Sequence, residues 1–234
     1  MKLISLGISF TFSEMQFVLA FLKSTVFAVM LLLMTAICSA QPTPTGKSIF
    51  FDSDGREVSN NEFVDIRMAN FHIKDSTITR ILPDGTVEFR LQKVPQEGMR
   101  MPEFTVTTLD GKTVNSADLK GKVVVLNFWF IGCPVCLAHK PKLNDLAARF
   151  VGQDDVVFLA MTGDSTAAVR KYLDKERFDY RQTANVKSTM DLFTFVGYPK
   201  NIVVSRTGEI VYWRSTVKAW DKFESVIREE LTKK

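Results

Sequence analysis

The chain has 234 residues and a formal net charge of +4, enough for one ordinary domain and a small addition. Its basic residues are scattered and form no runs, which argues against nucleic acid or an acidic surface as a partner. Three cysteines are too few for a fold held by disulfide staples.

Lys23 precedes an uncharged apolar run at 26–37, VFAVMLLLMTAI, which closes on Cys38-Ser39-Ala40 before Gln41. A basic residue, a short apolar core and a small-residue exit read as an export signal peptide over residues 1–40, with Met15 as an alternative start. The run is shorter than the roughly 20 residues of a comfortable membrane span. A retained anchor remains a second reading. A lipoprotein modified at Cys38 is a third, and Ile37 stands against it where a small residue is usual. Removing residues 1–40 takes away Lys2, Lys23 and Glu14, so the charge falls from +4 to +3. The expected location is periplasmic or otherwise exported.

Residues 41–98 read as a β-rich N-terminal extension or small domain. Pro-Thr-Pro-Thr at 42–45 is an exposed tether. Strand-like pieces at 48–52, 77–81 and 86–91 are punctuated by Asp54-Gly55 and Pro83-Asp84-Gly85. Residues 60–68 suit a short helix capped by Asn60 or Asn61. No chemistry is legible in this block.

Residues 99–234 change pattern. Strands at 103–107 and 113–114 flank Leu109-Asp110-Gly111-Lys112, the mark of a hairpin. The apolar run at 122–129 predicts a strand buried on both faces. A helix follows over 134–151, then a strand at 156–161 and a helix at 165–175 capped by Asp164 or Ser165. A short helix at 186–195 precedes strands 201–205 and 209–214, paired across Arg206-Thr207-Gly208. An amphipathic helix at 220–231 closes the chain. This order describes an α/β sandwich with a mixed central sheet.

After export only Cys133 and Cys136 remain, spaced C-x-x-C. So close a pair closes a tiny loop and is a poor staple. A zinc site needs four ligands, and only His72 and His139 have similar softness. The pair is therefore read as redox-active, with no metal and no cofactor. Cys133 falls between strand and helix, with Pro134 suited to the first helical position. Unpaired N–H groups and partial positive charge there favour a thiolate, making Cys133 the exposed attacking nucleophile. Cys136, one turn into the helix and less exposed, would resolve the mixed disulfide. Gly197-Tyr198-Pro199 stands just before a strand, and the residues alone leave its proline open between cis and trans.

The stretch Val124–Cys136, VVLNFWFIGCPVC, resembles the active-site strand and helix start of thioredoxin-fold proteins. With Pro141-Lys142-Leu143-Asn144 it is most similar to the exported TlpA/ResA-like branch. Gly197–Val204 with Thr207-Gly208-Glu209-Ile210 is similar to that family's cis-proline loop and final hairpin. Pro102-Glu103-Phe104, Leu109–Lys112 and Leu119–Lys122 match its N-terminal hairpin. The resemblance runs from about Met101 to the C-terminus and leaves residues 48–98 uncovered. It implies a thioredoxin-like three-layer sandwich, with Pro199 cis and facing the dithiol. Tyr198 would offer its backbone to an extended substrate, while Trp129 and Pro141 support the site.

Three departures stand out. Thioredoxins place a buried acid where this chain has Asn127. Relatives of the TlpA/ResA type often place a glutamate where it has His139, which would either take the proton from Cys136 or play no part. Gly132 replaces the tryptophan of cytosolic thioredoxins, so their substrate preference does not transfer.

The expected function is reduction of disulfides in exported proteins, in general or in cytochrome c maturation. Protein disulfides would be the substrates, with a membrane or periplasmic protein as electron donor. An oxidase or isomerase is the alternative direction, since Pro134-Val135 does not set it. A non-catalytic thioredoxin-fold binding module is the alternative of another class. Phe130 stands where a peroxiredoxin needs threonine.

Overall fold

The structure is a computed structural model that describes residues 44–74 and 77–233. Residues 1–40, and with them the readings of a signal peptide, an anchor or lipidation, lie outside the described residues. Contacts divide the chain into a small unit, residues 1–47 with 81–86, and a large one, residues 48–80 with 87–234. Within the small unit the Asp84 carboxylate accepts from the N–H and hydroxyl of Thr86, and Thr45 N–H donates to Gly85 O.

The β-rich segment contains β1 (Ser48–Phe51), β2 (Glu57–Val58), α1 (Asn60–Met68), β3 (Ile78–Ile81) and β4 (Val87–Arg90). Its strands lie in the order β2-β1-β4-β3. The N-cap of α1 is Ser59, where the sequence suggested Asn60 or Asn61. Ser59 has extended backbone and its hydroxyl accepts Glu62 N–H at 3.2 Å, whereas Asn60 is already helical.

A hairpin of β5 (Thr105–Thr107) and β6 (Thr113–Asn115) leads into β7 (Val123–Trp129), α2 (Pro134–Ala148), β8 (Val156–Thr162) and α3 (Thr166–Leu173). Then come β9 (Arg181–Thr183), α4 (Lys187–Asp191), β10 (Lys200–Val204), β11 (Ile210–Arg214) and α5 (Trp220–Thr232). The central sheet has the order β11-β10-β7-β8-β9. Strands β7, β8 and β9 run parallel, while β10 is antiparallel to both β7 and β11.

Strand β9 has no counterpart in the sequence reading because Arg181-Gln182-Thr183 shows no apolar alternation. Of its buried polar side chains, Gln182 donates to the carbonyls of Phe178 and Tyr180 while its Oε1 has no hydrogen-bond partner among the described residues, and Thr183 donates to Ala160 O. Helix α4 has five residues where 186–195 was expected. Thr194, at a φ of 48°, takes the chain out of helical geometry. Helix α2 ends at Ala148, three residues early.

Alternation along β7 divides the interior into two layers. Val123, Val125 and Trp129 pack with Leu143 and Leu146 of α2 and Phe223 of α5. Val124, Leu126 and Phe128 meet a second cluster that includes Val106, Met190 and, from α1, Phe63 and Ile66. The extension is thus tied to the sheet by apolar burial, the main driving force in such packing.

A buried carboxylate adds to this. Asp65 of α1 accepts N–H bonds from Lys218 (2.7 and 2.9 Å) and Ala219 (2.9 Å), donors at the start of α5. Ala219 gives α5 no side-chain cap of its own, so a residue far away in sequence satisfies the helix end.

Candidate active site

Cys133 is the N-cap of α2, with extended backbone, and Pro134 occupies the first turn, where its missing N–H costs nothing. Cys133 and Cys136 are joined as a disulfide, with Cα atoms 5.2 Å apart. The N–H of Cys136 donates to Cys133 Sγ at 3.1 Å. Both cysteines are only 3% exposed, which corrects the expectation of an open Cys133 beside a covered Cys136. Bonded to each other at the edge of the Trp129 cluster, the two sulfurs share one buried environment.

The loop before the dithiol is held from the neighbouring strand. Ile131 N–H donates to Asp164 Oδ2 at 2.8 Å, and Thr162 Oγ1 donates to the same oxygen at 2.9 Å. Cys133 N–H closes the turn on Phe130 O. The Tyr198–Pro199 peptide is cis, and the Tyr198 ring stands edge-on to Phe130 at 5.1 Å. The cis-proline loop and the approach to Cys133 therefore lie against each other. Burial pushes the Tyr198 phenol up, and Lys187 opposes the shift.

Beneath the dithiol, Trp129 is buried against Tyr172 and Phe178. Pro141 sits inside α2. At the position of the expected buried acid, Asn127 donates to Asn201 Oδ1 at 2.9 Å. Both side chains are buried, and Asn201 Nδ2 has no hydrogen-bond partner among the described residues. His139 is half-buried and edge-on to Trp220 at 5.5 Å. Burial, and then the Lys142 charge, lowers its pKa, favouring the neutral ring.

Two lysines went unread in the sequence. Lys140 follows Cys136 by one helical turn, and its buried ammonium lies 3.9 Å above the Tyr172 ring and 5.5 Å from Trp129. Burial lowers its pKa. Lys200, directly after the cis proline, is wholly buried and donates to Ala69 O at 2.8 Å and to Ser215 Oγ. Burial pushes it down to about 8. A charged residue at the mouth of an apolar strand was the available signal for Lys200, and the predicted strand began one residue too late. Among the described residues, no three His, Cys, Asp or Glu side chains gather as a metal ion would require.

The sequence profile of the Redoxin family matches residues 96–227, more than half of the chain. The chain belongs to that family. Within it the chain is a TlpA/ResA-like thiol–disulfide oxidoreductase of thioredoxin fold. The thiol-disulfide oxidoreductase ResA of Bacillus cereus (strain ZK / E33L) is 33% identical over 119 residues, covering 50% of this chain and 68% of the relative. The thioredoxin-like protein YneN of Bacillus subtilis (strain 168) is 28% identical over 117 residues, covering 49% and 69%. Among solved structures, the thioredoxin domain of a thiol-disulfide oxidoreductase from Bacteroides vulgatus superposes with a TM-score of 0.50 at 25% identity. That match covers 56% of this chain and 97% of the other. Residues 48–95 lie outside the Redoxin match.

Proposed function

We propose that this oxidoreductase reduces disulfides of exported proteins, with Cys133 as nucleophile and Cys136 as resolving cysteine. The observation that carries this is the N-cap geometry: Cys136 N–H points at Cys133 Sγ from the positive end of a 15-residue helix. Once the pair is reduced, that N–H and the helix end stabilise negative charge on Cys133. The Cys133 thiolate attacks a substrate disulfide, forms a mixed disulfide and expels one substrate thiolate. Cys136, deprotonated, then attacks Cys133 Sγ and expels the second. Two electrons leave the dithiol, and the bridge of the present structure is the product.

His139, neutral and within one turn of Cys136, is the proposed proton acceptor for the second step; Asn127 is not an acid and cannot take that role. Cis Pro199 and the Tyr198 backbone form the proposed seat of the substrate strand, supported from below by Trp129 and Pro134. An exported location and a membrane or periplasmic electron donor complete the reading. Among the described residues no helix is long and apolar enough to cross a membrane. Residues 99–234 are the proposed thioredoxin-like domain and 41–98 its extension.

The test is the reduction potential of the Cys133–Cys136 couple, with its redox state trapped in cells. A couple near about −270 mV and mostly dithiol supports a reductant. One near about −120 mV and mostly oxidised would replace it with an oxidase.

A further inference from the structure

We propose that Phe71, supplied by the N-terminal extension, is a specificity-determining residue of the dithiol site, contacting an apolar side chain of the polypeptide substrate beside its reacting cysteine. The inference rests on the reading of Cys133 as the attacking thiol.

Three observations bring the extension to the site's rim. Gly197, directly before Tyr198 and cis Pro199, has a φ of +76°, and a Cβ there would stand 2.7 Å from Phe71 Cε1. The glycine thus serves both the turn and the close approach of the ring. Lys200, directly after Pro199, reaches back through the fold to donate to Ala69 O, and Ser215 Oγ donates to the same carbonyl at 3.1 Å. The segment carrying Phe71 is therefore pinned from both sides of the cis proline. The exchange chemistry itself requires neither of these contacts.

Although pinned, Phe71 is 52% exposed. It continues an apolar border around the dithiol: Phe130 touches Tyr198, Val135 lies between the cysteines, and Val196 precedes Gly197, all three exposed. On the extension side Met68, Phe71 and Ile73 border a cavity of about 470 Å³. A substrate strand laid along the cis-proline loop would pass this border. Arg67 and Lys74 also line that cavity, but it is the half-exposed phenyl ring that rewards an apolar side chain.

The experiment uses the full chain and two synthetic peptides with the same intramolecular disulfide, one flanked by leucines and one by serines. KM and kcat are measured for wild type, Phe71→Ala and a control, Val151→Ala, which alters an exposed side chain just beyond α2. Wild type should prefer the leucine peptide. In F71A the KM for that peptide should rise about 5- to 10-fold with little change in kcat, the worth of partly burying a phenyl ring, and the preference should collapse. Val151→Ala should keep the preference. Melting curves are recorded alongside, and if F71A loses a cooperative melt, Phe71→Gln carries the same expectation. Equal KM values for the two peptides in wild type, or an unchanged preference in F71A, overturn the inference and leave the exchange reading standing. A wild type that reduces neither peptide overturns both.

Discussion

The two ends of the cis-proline region are built differently. On the side of α2, function is written locally: a dithiol, a proline and a helix start lie within four consecutive residues. On the side of α1, the contacts join residues more than a hundred positions apart, from Ala69 to Lys200 and from Asp65 to Lys218. The first region can lose its chemistry and keep its fold. The second can lose its fold without any reacting atom being touched.

The sharpest way to break that contrast is Cys133→Ser. It should lower disulfide reduction by at least about 1,000-fold, because a hydroxyl is not an effective nucleophile in exchange, while shifting the melting temperature of the reduced protein little. Measured insulin reduction near the wild-type level would refute the assignment.

Asp65→Ala should do the reverse. It strands the N–H groups of Lys218 and Ala219 at the start of α5, at a cost of about 2–4 kcal/mol in chemical denaturation. The variant that still folds should keep its exchange rate. Asp65→Asn, which preserves one acceptor oxygen, should lose less.

Lys200 gives a smaller effect with a defined sign. Its folded pKa of about 8 lies below the ordinary 10.5, so between those values the unfolded chain binds more protons. Its contribution to stability therefore rises with pH across about 8 to 10.5, at up to about 1.4 kcal/mol per pH unit. Denaturation midpoints followed over that range should flatten in Lys200→Met. An equal slope in the variant would exclude Lys200 as its source.

The smallest expected change is Lys140→Met. Removing a buried ammonium that lies on ring faces without a hydrogen-bond partner among the described residues, favoured only by the Glu176 charge, should leave stability equal or raise it by about 1 kcal/mol at neutral pH. A loss above about 2 kcal/mol would mean that its contact with Tyr172 and Trp129 outweighs desolvation.

What the sequence disclosed follows the same division. The dithiol, the helix start and the buried strands were legible because their signals are local: spacing, a proline at a helix entry, an apolar run. Ser59 was passed over for its asparagine neighbours, since three adjacent capping residues cannot be ranked without backbone angles. Strand β9 was missed because Arg181-Gln182-Thr183 shows no apolar alternation, and the Thr183 hydroxyl meets its acceptor, Ala160 O, only in the folded sheet. Asp65 and Phe71 were opaque because what they contact, the start of α5 and Gly197, lies more than a hundred residues away. Each looks like an ordinary surface residue until the partner that explains it arrives from the other end of the chain. Equal burial of the two cysteines was equally hidden, because it belongs to the bonded pair.

That bonded pair at the start of α2 supports the central claim, and covalent trapping tests it most directly. Cys136→Ser and Cys133→Ser are each incubated with a disulfide-bearing protein and resolved without reductant. The account predicts a stable mixed disulfide through Cys133 in the first variant, and none in the second. Accumulation in Cys133→Ser, with none in Cys136→Ser, would reverse the roles and contradict it.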